Sequence, residues 1–333
     1  MMKYLITGLT GFAGPHLAKQ LLNDGHEVHG VVRTANGREQ DLLDVLSAEE
    51  IKQITFHCID LKDSHSVFAM LKQNDFDGVF HLAAQSHPPT SFKNPILTFN
   101  ENVTASLNLI TALEGSDTKM MFCSTSEVYG DTCKDTGVLH EESRILPSNP
   151  YASSKAAIDL YMQERMTNGK INGFVTRAFS HTGPRRGNIF SISCDAYQIA
   201  NMILGDSNRV LGVGNLETQR VVVDVRDCVN AYYKLMQTDE SSGHVFNVCG
   251  DDLHKMGYFT DKLIELSGLD ITKKINPDFY RPIDIQVQIG DTTKLKTMTG
   301  WNPTIPLEQT LEDLLDYWVQ KIGSRKAAVE ANV

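Results

Sequence analysis

Apolar and polar positions along this chain fall into two alternating rhythms. Short apolar runs of strand length occupy Tyr4-Leu-Ile-Thr7, Glu27 to Val32, Ile54 to Ile59, Gly78 to Ser86, Lys119 to Ser124 and Gly173 to Ala178. Between them apolar residues return at helical spacing in His16 to Asn23, Ser64 to Gln73, Pro95 to Glu114 and the segment after Pro150. In the third of these, Val103, Leu107 and Ile110 share one side, which suits burial on a sheet or against a second subunit. Strands alternating with helices predict an α/β fold with a doubly wound parallel sheet and right-handed crossovers.

Beyond Ala178 the rhythm loosens. Ser180-His-Thr-Gly-Pro-Arg-Arg-Gly187, Val213-Gly-Asn-Leu-Glu-Thr-Gln-Arg220 and Tyr280-Arg-Pro-Ile283 are basic loops punctuated by Gly or Pro. This gives an expected division into a nucleotide-binding unit over 1–178 and a smaller carboxyl-terminal lobe over 179–323, some of whose elements return to the first unit. Residues 324–333 read as a flexible tail.

Composition adds limits. The 333 residues are 41% hydrophobic and 22% charged, as in ordinary globular proteins, and the net charge of −10 lacks any basic block. Nucleic acid and anionic membranes are therefore excluded as expected partners. Six scattered cysteines without C-x-x-C spacing fit a reducing, cytoplasmic compartment, and no metal-ligand spacing stands out.

The chemistry begins at Gly8-Leu-Thr10-Gly11-Phe12-Ala-Gly14, placed between a strand and a helix. Glycines three apart let the backbone turn tightly and approach a diphosphate, whose charge meets the helix amino terminus. With the strand pattern, this loop makes the first unit a Rossmann fold. Arg33, with Arg38, ends the second strand where an acid would favour NAD, so NADP is favoured over NAD. Asp60 and Leu61 follow the third strand at the adenine edge, and Leu82, Ala83 and Ala84 let the cofactor come close after the fourth. The fifth strand delivers Thr125, Ser126 and Glu127 to the crevice, and Tyr151 and Lys155 lie one turn apart on the next helix. An ammonium beside a phenol favours the phenolate, a base usable near neutral pH.

With those residues in place, the chain resembles the extended short-chain dehydrogenase/reductase family, and within it the nucleotide-sugar 4,6-dehydratases of the GDP-mannose 4,6-dehydratase type. The likeness rests on His81-Leu-Ala-Ala-Gln-Ser86, Ser124-Thr-Ser-Glu127, Tyr151-x-x-x-Lys155, Gly183-Pro-Arg-Arg-Gly187, Gly214-Asn-Leu216 with Arg220, and Arg281-Pro282. The resemblance implies that Tyr151 takes the C4 hydroxyl proton of a GDP-sugar, Lys155 holds the cofactor ribose, Thr125 orients the C4 oxygen and Glu127 removes the C5 proton. It also implies a homodimer or homotetramer. Arg185, Arg186, Arg220 and Arg281 are the candidate cations for the nucleotide diphosphate. Asn215, Gln85, Ser86, Ser126 and Ser180 complete the expected substrate contacts. Two departures from the family pattern fall near the sugar: Ser180 within Phe-Ser-His, and His87-Pro88-Pro89 in place of a more polar run. A GDP-heptose or another GDP-hexose thus stands beside GDP-mannose. A reductase of GDP-4-keto-6-deoxy sugars is the nearest alternative, ahead of an epimerase and of a noncatalytic cofactor-binding protein. The C5 base, Glu127, favours the dehydratase.

Overall fold

A computed structural model describes residues 1–34, 41–280 and 284–330, with backbone alone over 328–330. Arg38, Arg281 and Pro282 lie outside these residues.

Seven strands form one parallel sheet: β1 (Lys3–Thr7), β2 (Glu27–Val32), β3 (Ile54–Cys58), β4 (Gly78–His81), β5 (Lys119–Thr125), β6 (Gly173–Ala178) and β7 (Val245–Val248). Their spatial order is β3-β2-β1-β4-β5-β6-β7. The order reverses between β1 and β4, and a crevice opens at the carboxyl ends of the strands on either side of that point. Parallel strands are covered on both faces and so read as continuous apolar runs. Met120, Met121 and Phe122 of β5 are all fully buried.

The longer helices are α1 (Gly14–Asn23), α2 (Ser64–Gln73), α3 (Ala105–Leu113), α4 (Pro150–Thr167), α5 (Ser191–Ile203), α6 (Val225–Gln237), α7 (Met256–Ser267) and α8 (Leu307–Glu330). Leu17 and Leu21 of α1 pack with Val229, Tyr232 and Leu235 of α6 on one face of the sheet. Val67, Leu109, Ile158 and Met162 from α2, α3 and α4 cover the other. Helices α5, α7 and α8 build a separate apolar cluster around Ile199, Phe259 and Leu314. Among the described residues no helix is long and apolar enough to cross a membrane.

Three segments differ from the sequence expectation. The fourth strand stops at His81, because the Ala83 amide donates to the Thr7 hydroxyl and the Gln85 amide to Asn102, leaving neither free for the ladder. The helix expected over Pro95 to Glu114 carries a π-helical turn at Asn100–Thr104. The Asn102 side chain reaches from that turn to Gln85 and Ser154, the kind of functional placement π turns allow. The tail expected from Ser324 continues α8 through Glu330, with Lys326 donating to the Leu204 carbonyl.

One buried acid sits between α5 and α7. Asp195 accepts from the Thr260 hydroxyl at 2.7 Å, and burial pushes its carboxyl from 3.8 up to about 7. A raised folded value means the protonated form is the stabilising one. The stability it contributes is full below 3.8 and is lost as pH rises through about 7. Asp195→Asn, which still accepts from Thr260, should therefore flatten the fall in unfolding midpoint over that window, as measured by thermal melts across pH.

Candidate active site

The Gly8–Gly14 loop leaves β1 and starts α1. Gly8 takes φ +74°, and a Cβ on Gly14 would lie 2.4 Å from the Leu9 carbonyl oxygen, so the turn excludes any side chain there. Helix α1 has no side-chain cap and no acid in its first turn. Its leading N–H groups are thus available to an anion. These features fit a dinucleotide diphosphate. The Phe12 ring stacks on His181 at 5.7 Å, and the Arg186 guanidinium lies over Phe12 at 4.8 Å and Phe190 at 3.5 Å.

On the adenosine side, Arg33 is 65% exposed in its side chain and pairs with Glu101 at 3.1 Å. Lys62 binds the same Glu101, and Asp60 accepts from the Lys62 amide while Leu61 is buried. Leu82, Ala83 and Ala84 are half-buried along the loop after β4.

At the carboxyl end of β5, Thr125 caps a short 3-10 turn, Ser126–Tyr129, and accepts from the Glu127 amide. Across the crevice, Asn149 caps α4 ahead of Pro150. Tyr151 on the first turn of α4 hydrogen-bonds Thr125 and lies within the field of Glu127 and Arg186. Thr125, Glu127 and Tyr151 therefore lie around one crevice, with Lys155 one turn further along α4. Ser126, between Thr125 and Glu127, is buried, at 2% exposure.

Burial governs the charge in this crevice. Burial, reinforced by the negative charge of Glu127, pushes the Tyr151 phenol well above its ordinary 10.0, while the Thr125 hydrogen bond and Arg186 pull it down. Lys155 is 3% exposed, sits over the Phe122 ring at 4.5 Å, and is itself pushed down by burial. Burial thus opposes the ionised form of both groups. Burial also lowers His181 to about 4 and Arg186 to about 10.

The other candidates separate. Arg185 takes φ +75° and donates to the Thr10 and Gly11 carbonyls at 3.2 Å each, so it meets the glycine loop. Arg220 donates to the Ile285 carbonyl and pairs with Asp284 at 3.5 Å, and Asn215 reaches the same Asp284 at 3.4 Å. These two form a second group around Asp284. The Gln85 side chain bonds His87 and Thr98, while Ser86 is exposed.

The family model for GDP-mannose 4,6 dehydratase matches residues 5–314. The chain belongs to the GDP-mannose 4,6-dehydratase family. The GDP-6-deoxy-D-mannose reductase of Pseudomonas aeruginosa is 31% identical over 96% of this chain and 98% of its own. GDP-mannose 4,6-dehydratase sdnI of Sordaria araneosa is 30% identical over 98% of this chain, which spans 63% of that protein. The solved structure of RMD from Pseudomonas aeruginosa complexed with NADPH has a TM-score of 0.80 and 28% identity, covering 96% of this chain and 100% of that one. This member of the family is an enzyme built to hold a nicotinamide dinucleotide.

Sequence reasoning overlooked the framework beneath the family's Tyr/Lys pair. Arg177 of β6 grips Asp159 of α4 through Nε and Nη2 at 2.9 and 3.0 Å. Its Nη1 donates to the Tyr129 hydroxyl and the Glu141 carbonyl. The signal was available: Asp159 continues the Tyr151, Lys155 spacing by one more turn, and a lone arginine in an apolar strand needs a partner. Removing one partner strands a buried charge. Arg177→Met should cost about 3–5 kcal/mol in denaturant unfolding, and Arg177→Met with Asp159→Leu should recover a large part of it.

Proposed function

We propose that the protein is a GDP-sugar 4,6-dehydratase that converts GDP-mannose, or a related GDP-hexose or heptose, to the GDP-4-keto-6-deoxy sugar. The observation that carries this reading is the meeting of Thr125, Glu127 and Tyr151, which sets a carboxylate beside a phenol at one crevice. The cofactor, when bound, supplies hydride acceptance from C4 and hydride return to C6. Tyr151 accepts the C4 hydroxyl proton, and Thr125 orients that oxygen. The resulting ketone acidifies the C5 hydrogen, which a carboxylate can then remove. Glu127 takes that proton and assists departure of the C6 hydroxyl as water. Lys155 holds the ribose and supplies positive charge beneath the ring.

Arg33 supports NADP as the cofactor, its exposed guanidinium suiting an extra phosphate. Arg220 and Asn215, with Arg281, Gln85, Ser86, Ser126 and Ser180, are the proposed substrate contacts. A homodimer or homotetramer accords with Ile96, Leu97 and Leu160, which are 77%, 49% and 52% exposed near the π turn and α4. A cytoplasmic location accords with six free cysteines.

The second reading is a GDP-4-keto-6-deoxy-sugar reductase, favoured by the full-length match to the Pseudomonas aeruginosa reductase. Incubation with GDP-mannose and catalytic NADP separates the two. A 4-keto-6-deoxy product without net cofactor reduction is expected; net oxidation of NADPH by the keto sugar, with no dehydration, would favour the reductase. Tyr151→Phe should abolish product formation while cofactor binding, followed by calorimetry, stays near wild type. In Glu127→Gln, C4 oxidation should persist and water loss should stop, which product analysis by mass spectrometry checks.

A further inference from the structure

We propose that Asn149 is a positioning residue for the water-loss step, holding the Glu127 carboxylate at a fixed distance from Tyr151. The assignment rests on the reading of Glu127 as the C5 base.

Asn149 has an extended backbone and a side chain that faces two ways. Its Oδ1 accepts from the Ala152 amide at 2.8 Å, and its Nδ2 donates to Glu127 Oε2 at 2.6 Å. The reverse orientation of the amide would set two oxygens together and point an NH2 at an N–H, so the network assigns the two atoms. The residue is 9% exposed, which shields both bonds from water.

Capping alone does not explain this residue. Ser, Thr or Asp would accept from the helix amide as well as Asn does. Asn combines that acceptor with a donor, and the donor is spent on Glu127. Tyr151 follows two residues after Asn149, on the helix that the cap begins. The Glu127 main chain is held separately: Thr125 accepts from its amide, and Tyr129, two residues on, is tied to Arg177 and Asn247. The carboxylate is thus fixed from β5 through its backbone and from α4 through its tip. The bond from Asn149 helps preorganise the glutamate toward the same crevice as the phenol.

Two variants separate the roles. Asn149→Ser keeps a capping acceptor and removes the donor; Asn149→Asp keeps the acceptor and sets a second carboxylate against Glu127. Each is mixed with GDP-mannose and NADP beside wild type. C4 oxidation is followed by nicotinamide absorbance in a single turnover, water loss by product mass, and folding by thermal melts. In Asn149→Ser the melt and C4 oxidation should stay near wild type while water loss falls roughly tenfold or more, the scale of a misplaced reacting group. Reduced cofactor should accumulate, and the Asp variant should lose more. Equal loss of both steps, or a lowered melting point with no change in their ratio, makes Asn149 a cap only and overturns the proposal. Unchanged dehydration overturns it as well. Wild-type protein that oxidises NADPH with the keto sugar and never dehydrates GDP-mannose would instead remove the dehydratase reading, and this assignment with it.

Discussion

The Arg177–Asp159 pair is the contact on which the site depends. Both side chains are nearly closed to solvent, at 2% and 0% exposure. Two charges taken that far from water are tolerated only when their geometry is good and their remaining donors are satisfied. Here the guanidinium meets both Asp159 oxygens, a phenol and a backbone carbonyl. The result is a joint among three elements: α4, which carries Tyr151 and Lys155; β6, beside the strand that ends in Thr125; and the turn that ends in Tyr129 and carries Glu127. Asn247 of β7 extends the joint by accepting from the Tyr129 hydroxyl at 2.8 Å. Chemistry on two sides of a crevice is thereby referred to one fixed point beneath it.

Above that point, burial works against ionisation. Desolvation raises the Tyr151 phenol and lowers the Lys155 ammonium, so each is pressed toward its neutral form. A dry crevice strengthens every hydrogen bond within it, and the same low dielectric makes each local charge matter more. Thr125 and Arg186 are the groups that favour the phenolate; Glu127 opposes it. The phenol and the carboxylate are thus electrically linked, and a proton on Glu127 eases loss of one from Tyr151.

The strands, the glycine loop and the Tyr151 helix were legible because each is written in local pattern: apolar runs, glycine spacing, and Pro150 at a helix start. The convergence of Thr125 and Glu127 with Tyr151 followed from topology, since β5 and α4 are consecutive around one crevice. Arg185 was not legible. Its contacts, Thr10 and Gly11, lie more than a hundred and seventy positions away in the chain, and nothing in Gly-Pro-Arg-Arg-Gly distinguishes a side chain aimed at that loop from one aimed at a substrate. The balance of charge between Tyr151 and Lys155 was not legible for another reason. Spacing reveals that two groups are neighbours, whereas their ionisation depends on how much water reaches them, which sequence does not display. Asn149 carried a readable mark as a cap before proline, but its second bond, to Glu127, is tertiary.

The succession Tyr151, Lys155, Asp159 has a consequence for how such a chain can vary. The three share one face of α4, and the lowest of them is locked to β6. Inserting one residue between Tyr151 and Asp159 would swing the phenol about 100° around the helix axis, while the anchor stayed where it is. Insertions in the loop around 205–209 would leave that angle untouched. Length differences between related chains should therefore collect in such loops and be absent from this nine-residue ruler, whose phase is set at its far end by a salt bridge that never meets the substrate.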